Sequence, residues 1–313
     1  IMNHAISIDV RAVVADLRIK NTLTNNIEQL RFYYKIQMLN NGDYIESSKG
    51  ETQARNSGKD HFIIGNFKFN RFSNREKSGV TYIMDSVFIQ GRINLNDGDL
   101  NTINGVLVLL SDQFSSGRLG NSKNGILTGS YVWRKYIDRC NDWSTYSVPT
   151  ASTINEITSY SGGRMITTGF PNSDFPSFNF VNVYNYDPIN GYVPFSDAND
   201  VNQRGAGFWY WNSDTVYNSN QVSIPQKWTI QTKGSLDLNT QFAFDLQFGG
   251  DNMNLIGNPY PGTIDWDKNG WIKTNVNDAV YWFNTCTKTY STYVRGVGVN
   301  GGSKQIPVGQ GFF

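Results

Sequence analysis

The residues of this chain that could do acid–base chemistry are few. Asp265 and Asp267 flank Trp266, so an extended backbone would place both carboxylates on one side of a strand, beside an indole ring. Paired carboxylates carry out glycoside hydrolysis, and we keep that reaction as the weakest functional hypothesis. We interpret the pair instead as a strand end, where an aspartate caps a turn and Trp266 packs inward. His4 and His61 have no nucleophile motif near them, so we predict no catalytic residue.

Oxygen donors gather at residues 94–101, where Asn96, Asp97 and Asp99 are the candidate metal ligands. Calcium prefers carboxylate and amide oxygens, but this stretch lacks the full EF-hand loop and its terminal glutamate. We therefore interpret it as a solvated β-turn. Calcium is the one cofactor that the sequence suggests, and no other is predicted.

Aromatic residues are the better candidates for binding a ligand. β-Rich modules often stack sugar rings on exposed tryptophan and tyrosine. The segment Trp209-Tyr-Trp211 would point two indoles to one face of a strand, which we interpret as core. Tyr260 and Trp271 lie in loop-like surroundings and are the stronger candidates for exposed rings. The sequence thus offers Trp209, Trp211, Tyr260 and Trp271 as possible glycan contacts.

Two cysteines, Cys140 and Cys286, are too few for a disulfide framework or a cysteine-rich zinc site. Both lie beside predicted strands of the C-terminal region, so they could pair in an oxidising compartment. We favour two separate free thiols, and the disulfide remains the alternative.

The elements that must position these residues are strands. Charged residues make up 17% of the chain and aromatic residues 14%, and short runs that alternate apolar and polar residues are separated by turns rich in Asn and Gly. Residues 87–110 contain three short apolar strands spaced like the coils of a β-solenoid. No clean repeat period is visible, so an antiparallel sheet is the alternative there. Residues 22–30 are the best candidate helix, although a weak one.

The tryptophans divide the chain, since all eight lie beyond residue 130. We predict an all-β protein with a β-rich or β-solenoid-like region at residues 1–124. An aromatic-rich, jelly-roll-like β-sandwich is predicted for residues 125–313.

The last sixty residues carry the most distinctive motifs. Gly-Asn-Pro-Tyr-Pro at residues 257–261 leads to Ile-Asp-Trp at residues 264–266, and the prolines favour extended backbone at the residues before them. Tyr-Trp-Phe-Asn at residues 281–284, Tyr-Ser-Thr-Tyr-Val at residues 290–294 and Ile-Pro-Val-Gly-Gln-Gly-Phe-Phe at residues 306–313 follow. We interpret the prolines and glycines as turn chemistry.

This succession resembles the surface proteins of Bacteroidota that the type IX secretion system exports, among them gliding adhesins and appendage proteins. The resemblance is strongest from residue 205 onward and reaches back weakly to residue 91. The tryptophan at Trp282 stands one place early, and Arg204-Gly-Ala-Gly207 stands where a Gly-Lys-Gly pattern is commoner. The resemblance implies an extracellular, cell-surface location and a chain that is one part of a longer protein.

Charge and hydropathy exclude several function classes. Lys and Arg number 27 against 26 Asp and Glu, so nothing favours nucleic acid, and the clearest basic cluster, residues 71–77, is interpreted as a solvated loop. No eighteen-residue apolar run predicts a membrane span. We expect a non-enzymatic structural or adhesive module, such as a stalk or subunit of a surface appendage. Its partners would be other copies or subunits of a surface assembly, or surface glycans. A carbohydrate-binding module is the alternative.

Overall fold

The computed structural model describes residues 6–8, 12–26, 29–39, 42–55, 57–138, 140, 142–159, 165–212, 215–217, 223–225, 227–236 and 242–313, so His4 lies outside the described residues. Nearly all regular elements are strands, which confirms the all-β prediction. The chain divides into two compact units. Unit 1 contains Ile1–Arg134 and Lys233–Gln241, and unit 2 contains Lys135–Thr232 and Phe242–Phe313.

The elements follow one another in this order: β1 (Ile6–Ile8), β2 (Ala12–Ile19), β3 (Thr22–Asn25), β4 (Gln29–Met38), β5 (Asp43–Glu46), β6 (Glu51–Arg55), β7 (His61–Ile64), β8 (Phe67–Arg75), β9 (Val80–Ile83), β10 (Ser86–Leu95), β11 (Asp99–Asn101), β12 (Val106–Leu109), β13 (Arg118–Ser122), β14 (Leu127–Thr128), β15 (Ser130–Ile137), β16 (Asp142–Ser147), β17 (Ser152–Thr153), α1 (Ile154–Thr158), β18 (Val183–Asp187), β19 (Gly191–Pro194), β20 (Val201–Asn202), β21 (Gly207–Asn212), β22 (Thr215–Tyr217), β23 (Ser223–Pro225), β24 (Trp228–Ser235), β25 (Ile256–Gly257), β26 (Ile264–Asp265), β27 (Ala279–Asn284), β28 (Thr289–Val294), β29 (Val297–Val299), β30 (Gln305–Ile306) and β31 (Gly311–Phe312).

Unit 1 is a parallel β-solenoid, as the sequence predicted. One line of stacked strands contains the first halves of β2 and β4, then β6, the second halves of β8 and β10, and β13. A second line contains the second halves of β2 and β4, then β7, β9, β11 and β14. A third contains the first halves of β8 and β10, then β12 and the start of β15. The sixth coil therefore extends past the division predicted at residue 125.

Stacking places buried side chains directly above one another inside the coils. Leu30 lies beside Thr52, Thr52 beside Phe72, and Phe72 beside Ile93 in successive coils. All four are at most 2% exposed. A single coil could not bury its inner face, so each coil depends on its neighbours for stability.

Two predictions and one alternative for unit 1 are wrong. Within residues 22–30, residues 22–25 form strand β3 and residues 29–30 begin β4, because Leu23 and Leu30 are buried inside the coils. The antiparallel alternative for residues 87–110 fails, since β10 pairs with β12 in parallel. Residues 71–75 of the basic cluster belong to strand β8 and do not form a loop.

Unit 2 is built from small antiparallel sheets. The largest has the order β16-β21-β18-β19. A second group contains β25 with β31, β26 with β30, and β27 with β28 and β29. This group encloses a cluster formed by Trp266, Val280, Tyr293, Ile306 and Phe312. Helix α1 is one short turn whose N-cap, Thr153, forms a capping box with Glu156.

The Gly-Asn-Pro-Tyr-Pro motif serves as a structural joint in unit 2. Asn258 is fully buried, and its Nδ2 donates to the carbonyl oxygens of Gly262, Ile306 and Pro307 at 2.8, 3.1 and 3.2 Å. Its Oδ1 accepts from the Tyr260 amide at 2.9 Å. The motif is therefore held to the start of the C-terminal Ile-Pro-Val-Gly-Gln-Gly segment by one side chain.

A disulfide joins Cys140 to Cys286 across 146 residues of the chain. Our preference for two free thiols is therefore wrong. Nothing in the sequence brings the two cysteines together, because the pairing depends on how β16 lies beside β27. Among the described residues, no helix is long and apolar enough to cross a membrane.

Candidate functional site

One face of the β16-β21-β18-β19 sheet carries a continuous set of aromatic rings. Trp143 lies opposite Trp211 in the register, and Tyr184 lies opposite Trp209. Tyr192 completes the row on the edge strand, β19. We call the partly accessible set the aromatic face, and it consists of Trp143, Phe180, Tyr184, Tyr192 and Trp211.

The alternation of β-strands explains why one face is open and the other closed. The residues between these rings point to the opposite side of the sheet, where Phe208, Tyr210 and Val183 are at most 2% exposed. Tyr210 packs edge-on against Trp228 at 5.4 Å there. One face of the sheet thus packs against the core of unit 2, and the other face carries the aromatic rings.

The rings of the aromatic face touch one another. Trp143 lies 5.5 Å from both Trp211 and Tyr184, measured between ring centroids, and both contacts are edge-on. Phe180 lies 5.9 Å from Trp211. Tyr192 is 55% exposed and Phe180 41% exposed, while Trp143, Tyr184 and Trp211 are half-buried. Such mutual contacts fix the rings without closing them off from solvent.

A group of tyrosines continues the aromatic face at the β19 edge. Tyr186 lies 5.3 Å from Tyr192, and its hydroxyl donates to Asp251 in a short hydrogen bond. This bond raises the pKa of Tyr186 to about 12. Burial raises the pKa of Tyr290 to about 12 as well. This end of the site therefore combines ring faces with tyrosine hydroxyl groups, of which that of Tyr186 is held in place by Asp251.

A loop at the other end presents further phenylalanines. Phe175 is 52% exposed and Phe178 60% exposed, and both precede Phe180 in the same loop. Asp174 holds the loop by accepting from the amide of Thr167 at 2.9 Å. Exposed phenylalanines on a hydrogen-bonded loop are unusual on a surface that contacts only water.

The structure brings only part of the predicted ring set to this site. Trp211 belongs to the aromatic face, but Trp209 is 3% exposed and forms its floor beneath Tyr192 at 5.6 Å. Phe283 and Phe313 cover the rest of Trp209. Trp209 is therefore not an exposed platform, because residues distant in the sequence close over it.

The two loop candidates lie elsewhere in unit 2 and are not free. The Arg204 guanidinium lies over the Tyr260 ring at 5.0 Å. Trp271 packs on Trp266 at 4.9 Å, and its Nε1 donates to the backbone oxygen of Asp265. Both rings are half-buried parts of the packing. Trp143, Tyr184 and Tyr192 were missed by sequence reasoning, although the Tyr-Asn-Tyr alternation at residues 184–186 was a signal for them.

The carboxylates of Asp265 and Asp267 both take part in structural contacts. Burial raises the pKa of Asp265, but hydrogen bonds from the Asp267 amide and an ion pair with Lys304 together hold that pKa below its usual value. Asp267 accepts a short hydrogen bond from the hydroxyl of Tyr293. These contacts fit a strand end better than a hydrolytic pair.

The candidate calcium ligands take part in the stacking of solenoid turns. Asp99 accepts from the amide of Ile126 at 2.9 Å, and Asp97 accepts from Asn124 at 3.1 Å. The Asn96 carbonyl accepts from the Asn124 amide in the next coil. Within the described ranges, no three His, Cys, Asp or Glu side chains are grouped as a metal site would require.

Comparison with protein-family models, with curated proteins and with solved structures finds no match to this chain. The resemblance to exported Bacteroidota surface proteins therefore stays a prediction from the motifs at residues 257–313.

Proposed function

We propose that this chain is a non-enzymatic, extracellular adhesive module of a larger bacterial surface protein, and that the aromatic face binds surface glycans. The observation that carries the proposal is the aromatic face itself. Four rings of one sheet, together with Phe180 from the loop before β18, form a connected set that is half-open beside a group of hydroxyls. Sugars are bound by this combination, in which ring faces stack on C–H groups and polar atoms fix the hydroxyls.

The tyrosine end of the site favours a glycan over a purely apolar partner. Tyr186 is anchored to Asp251, so its hydroxyl group has a fixed direction. Preorganised groups of this kind bind with a smaller loss of conformational entropy. Several accessible rings side by side give stacking surfaces for more than one sugar unit, so the site suits a short oligosaccharide.

The exposed disulfide supports the extracellular part of the proposal. Cys140 and Cys286 are both exposed, and disulfides persist mainly in oxidising compartments. Unit 1 would serve as a stalk, because six coils at a strand spacing of about 4.8 Å span roughly 25–30 Å. We also propose that unit 2 is a β-sandwich of jelly-roll type, with export by the type IX system. The sequence motifs support that assignment.

A second candidate function is assembly with other subunits of a surface appendage. Phe175 and Phe178 favour it, because exposed phenylalanines are more typical of contacts between proteins than of sugar sites. If replacing Phe175 and Phe178 abolished binding to other subunits and left glycan binding intact, this role would be identified.

A glycan array tests the proposal. We expect Tyr192→Ala and Trp143→Ala to lose the binding that the unaltered chain shows. Phe248→Ala is the matched control, since Phe248 is 65% exposed in unit 2 and lies outside the aromatic face. Equal binding by all the variants, or no glycan bound by the unaltered chain, would refute the glycan assignment.

A further inference from the structure

A second surface with a distinct charge lies on unit 1. The parallel register places Arg71 beside Arg92 and Arg92 beside Arg118 in three successive coils. Adjacent strands of a sheet are about 4.8 Å apart, so the three backbones carry a positive side chain at each step. We call these three residues the arginine ladder. Each points outward, because Phe72, Ile93 and Leu119, their next neighbours in the chain, point into the coils.

Within the described residues, two of the three arginines, Arg92 and Arg118, lack the acidic partners that such residues usually have. Arg92 and Arg118 are exposed, and neither forms an ion pair in the part of the chain that the structure describes. Arg71 is half-buried, and its Nε donates to the carbonyl of Gly50 at 3.1 Å. Glu51 accepts from the hydroxyl of Ser73 at 2.6 Å, and the nearby charge of Arg71 helps to lower the pKa of that carboxyl, so the positive charge of Arg71 is partly balanced.

Like charges on neighbouring strands destabilise a sheet unless something neutralises them. The chain as a whole has a net charge of +1, so this local excess is not a general property of the surface. Lys68 is a further exposed cation on the same strand as Arg71, and its charge is partly balanced by the nearby carboxylate of Asp112. An anion lying along the ladder would relieve the repulsion and would be attracted by every rung.

We propose that the arginine ladder binds an extended acidic polysaccharide, with one carboxylate or sulfate group at each rung. An acidic sugar chain carries its charge once per ring or per few rings, which suits a row of guanidinium groups at the strand spacing. Arginine binds such oxyanions through paired N–H groups.

The neighbouring side chains favour a sugar over a nucleic acid. Asn70 and Gln90 lie within two residues of the arginines and are half-exposed. Their amide nitrogens donate to the Ser48 carbonyl and to Asp112, which leaves the amide oxygens as acceptors for sugar hydroxyl groups. Proteins that hold single-stranded nucleic acids interleave basic residues with aromatic rings that stack on the bases. The three register positions of the ladder carry arginine only.

The test measures binding of the full chain to polygalacturonate, with neutral dextran and a single-stranded oligonucleotide as comparison ligands. We expect binding of polygalacturonate, no binding of dextran, and affinity that falls as salt rises. Arg92→Gln and Arg118→Gln should each weaken binding about tenfold. Arg18→Gln is the matched control, because Arg18 is an exposed arginine of unit 1 on another line of strands.

Two further variants keep the outcome clear. Arg92→Lys retains the charge and should lose less affinity than Arg92→Gln. Tyr192→Ala, on the aromatic face of unit 2, should bind polygalacturonate as tightly as the unaltered chain. The arginine ladder is thereby tested separately from the glycan proposal for the aromatic face. Equal affinities for Arg92→Gln, Arg118→Gln and Arg18→Gln would overturn the proposal, and so would tighter binding of the oligonucleotide with the same dependence on the ladder.

Discussion

Replacing Asn258 by alanine should destabilise unit 2 more than any surface substitution there. The side chain is fully buried, and its two N–H groups are shared among three backbone carbonyls while its oxygen accepts from one backbone amide. That is three full hydrogen bonds at about 1 kcal/mol net each, so Asn258→Ala should lower the free energy of unfolding by about 3 kcal/mol. Asn258→Asp should lower it at least as much, because a carboxylate cannot donate to the three carbonyls.

Denaturant unfolding followed by tryptophan fluorescence is a suitable assay. Seven of the eight tryptophans belong to unit 2, with Trp133 as the exception, so the signal reports mainly on that unit. Asn277→Ala is the matched control, since Asn277 is exposed and should change the free energy by less than about 0.5 kcal/mol. A loss below about 1 kcal/mol for Asn258→Ala would refute the role of this side chain as the joint of the motif.

Other predictions concern a buried histidine, the disulfide and one close glycine contact. Burial lowers the pKa of His61 in the folded protein, because the buried ring favours the neutral form. The neutral ring therefore contributes its full stability above about pH 6.5, the pKa in the unfolded chain, and this stability is lost as the pH falls toward the lower folded-state pKa. Hydrogen exchange of strand β9, corrected for the intrinsic rate, should show this loss between pH 7 and pH 5 in the native protein but not in His61→Phe. Cys286→Ser should lower the free energy of unfolding by about 2–5 kcal/mol, and reductant should destabilise the native protein without affecting the variant. Gly257→Ala should lower the midpoint of denaturant unfolding by an amount equivalent to about 1–3 kcal/mol, because its Cβ would lie 2.0 Å from the Cβ of Ser147; an unchanged midpoint would contradict the close contact.

The strand content and the solenoid could be predicted from the sequence, but the coil repeat could not. Period-two alternation marks strands, and it is visible in single segments such as residues 86–95. The repeat is hidden because polar residues occupy inner positions, as Thr52 does beneath Phe72. A longer connection between β12 and β13 also interrupts the spacing of the coils. The direction of strand pairing leaves no mark on alternation, so parallel and antiparallel sheets remained alternatives.

The candidate site could be predicted only in part, for a related reason. Alternation shows that Trp209 and Trp211 share a face, yet it cannot show that Phe313 closes over one of them. Tyr260 follows proline in a turn and therefore resembled an exposed ring, but Arg204 lies over it. Trp143 joins the site through a strand more than sixty residues earlier in the chain, and nothing in its local sequence indicates that partner.

Binding at the aromatic face is the central claim, and tryptophan fluorescence during a glycan titration tests it most directly. Trp143 and Trp211 are half-buried at the surface of the site, so a stacked sugar should change their emission. We predict a saturable change with the best ligand from the array, and its loss in the Trp143→Phe/Trp211→Phe double variant. An identical change in the double variant would place the ligand elsewhere and contradict the account.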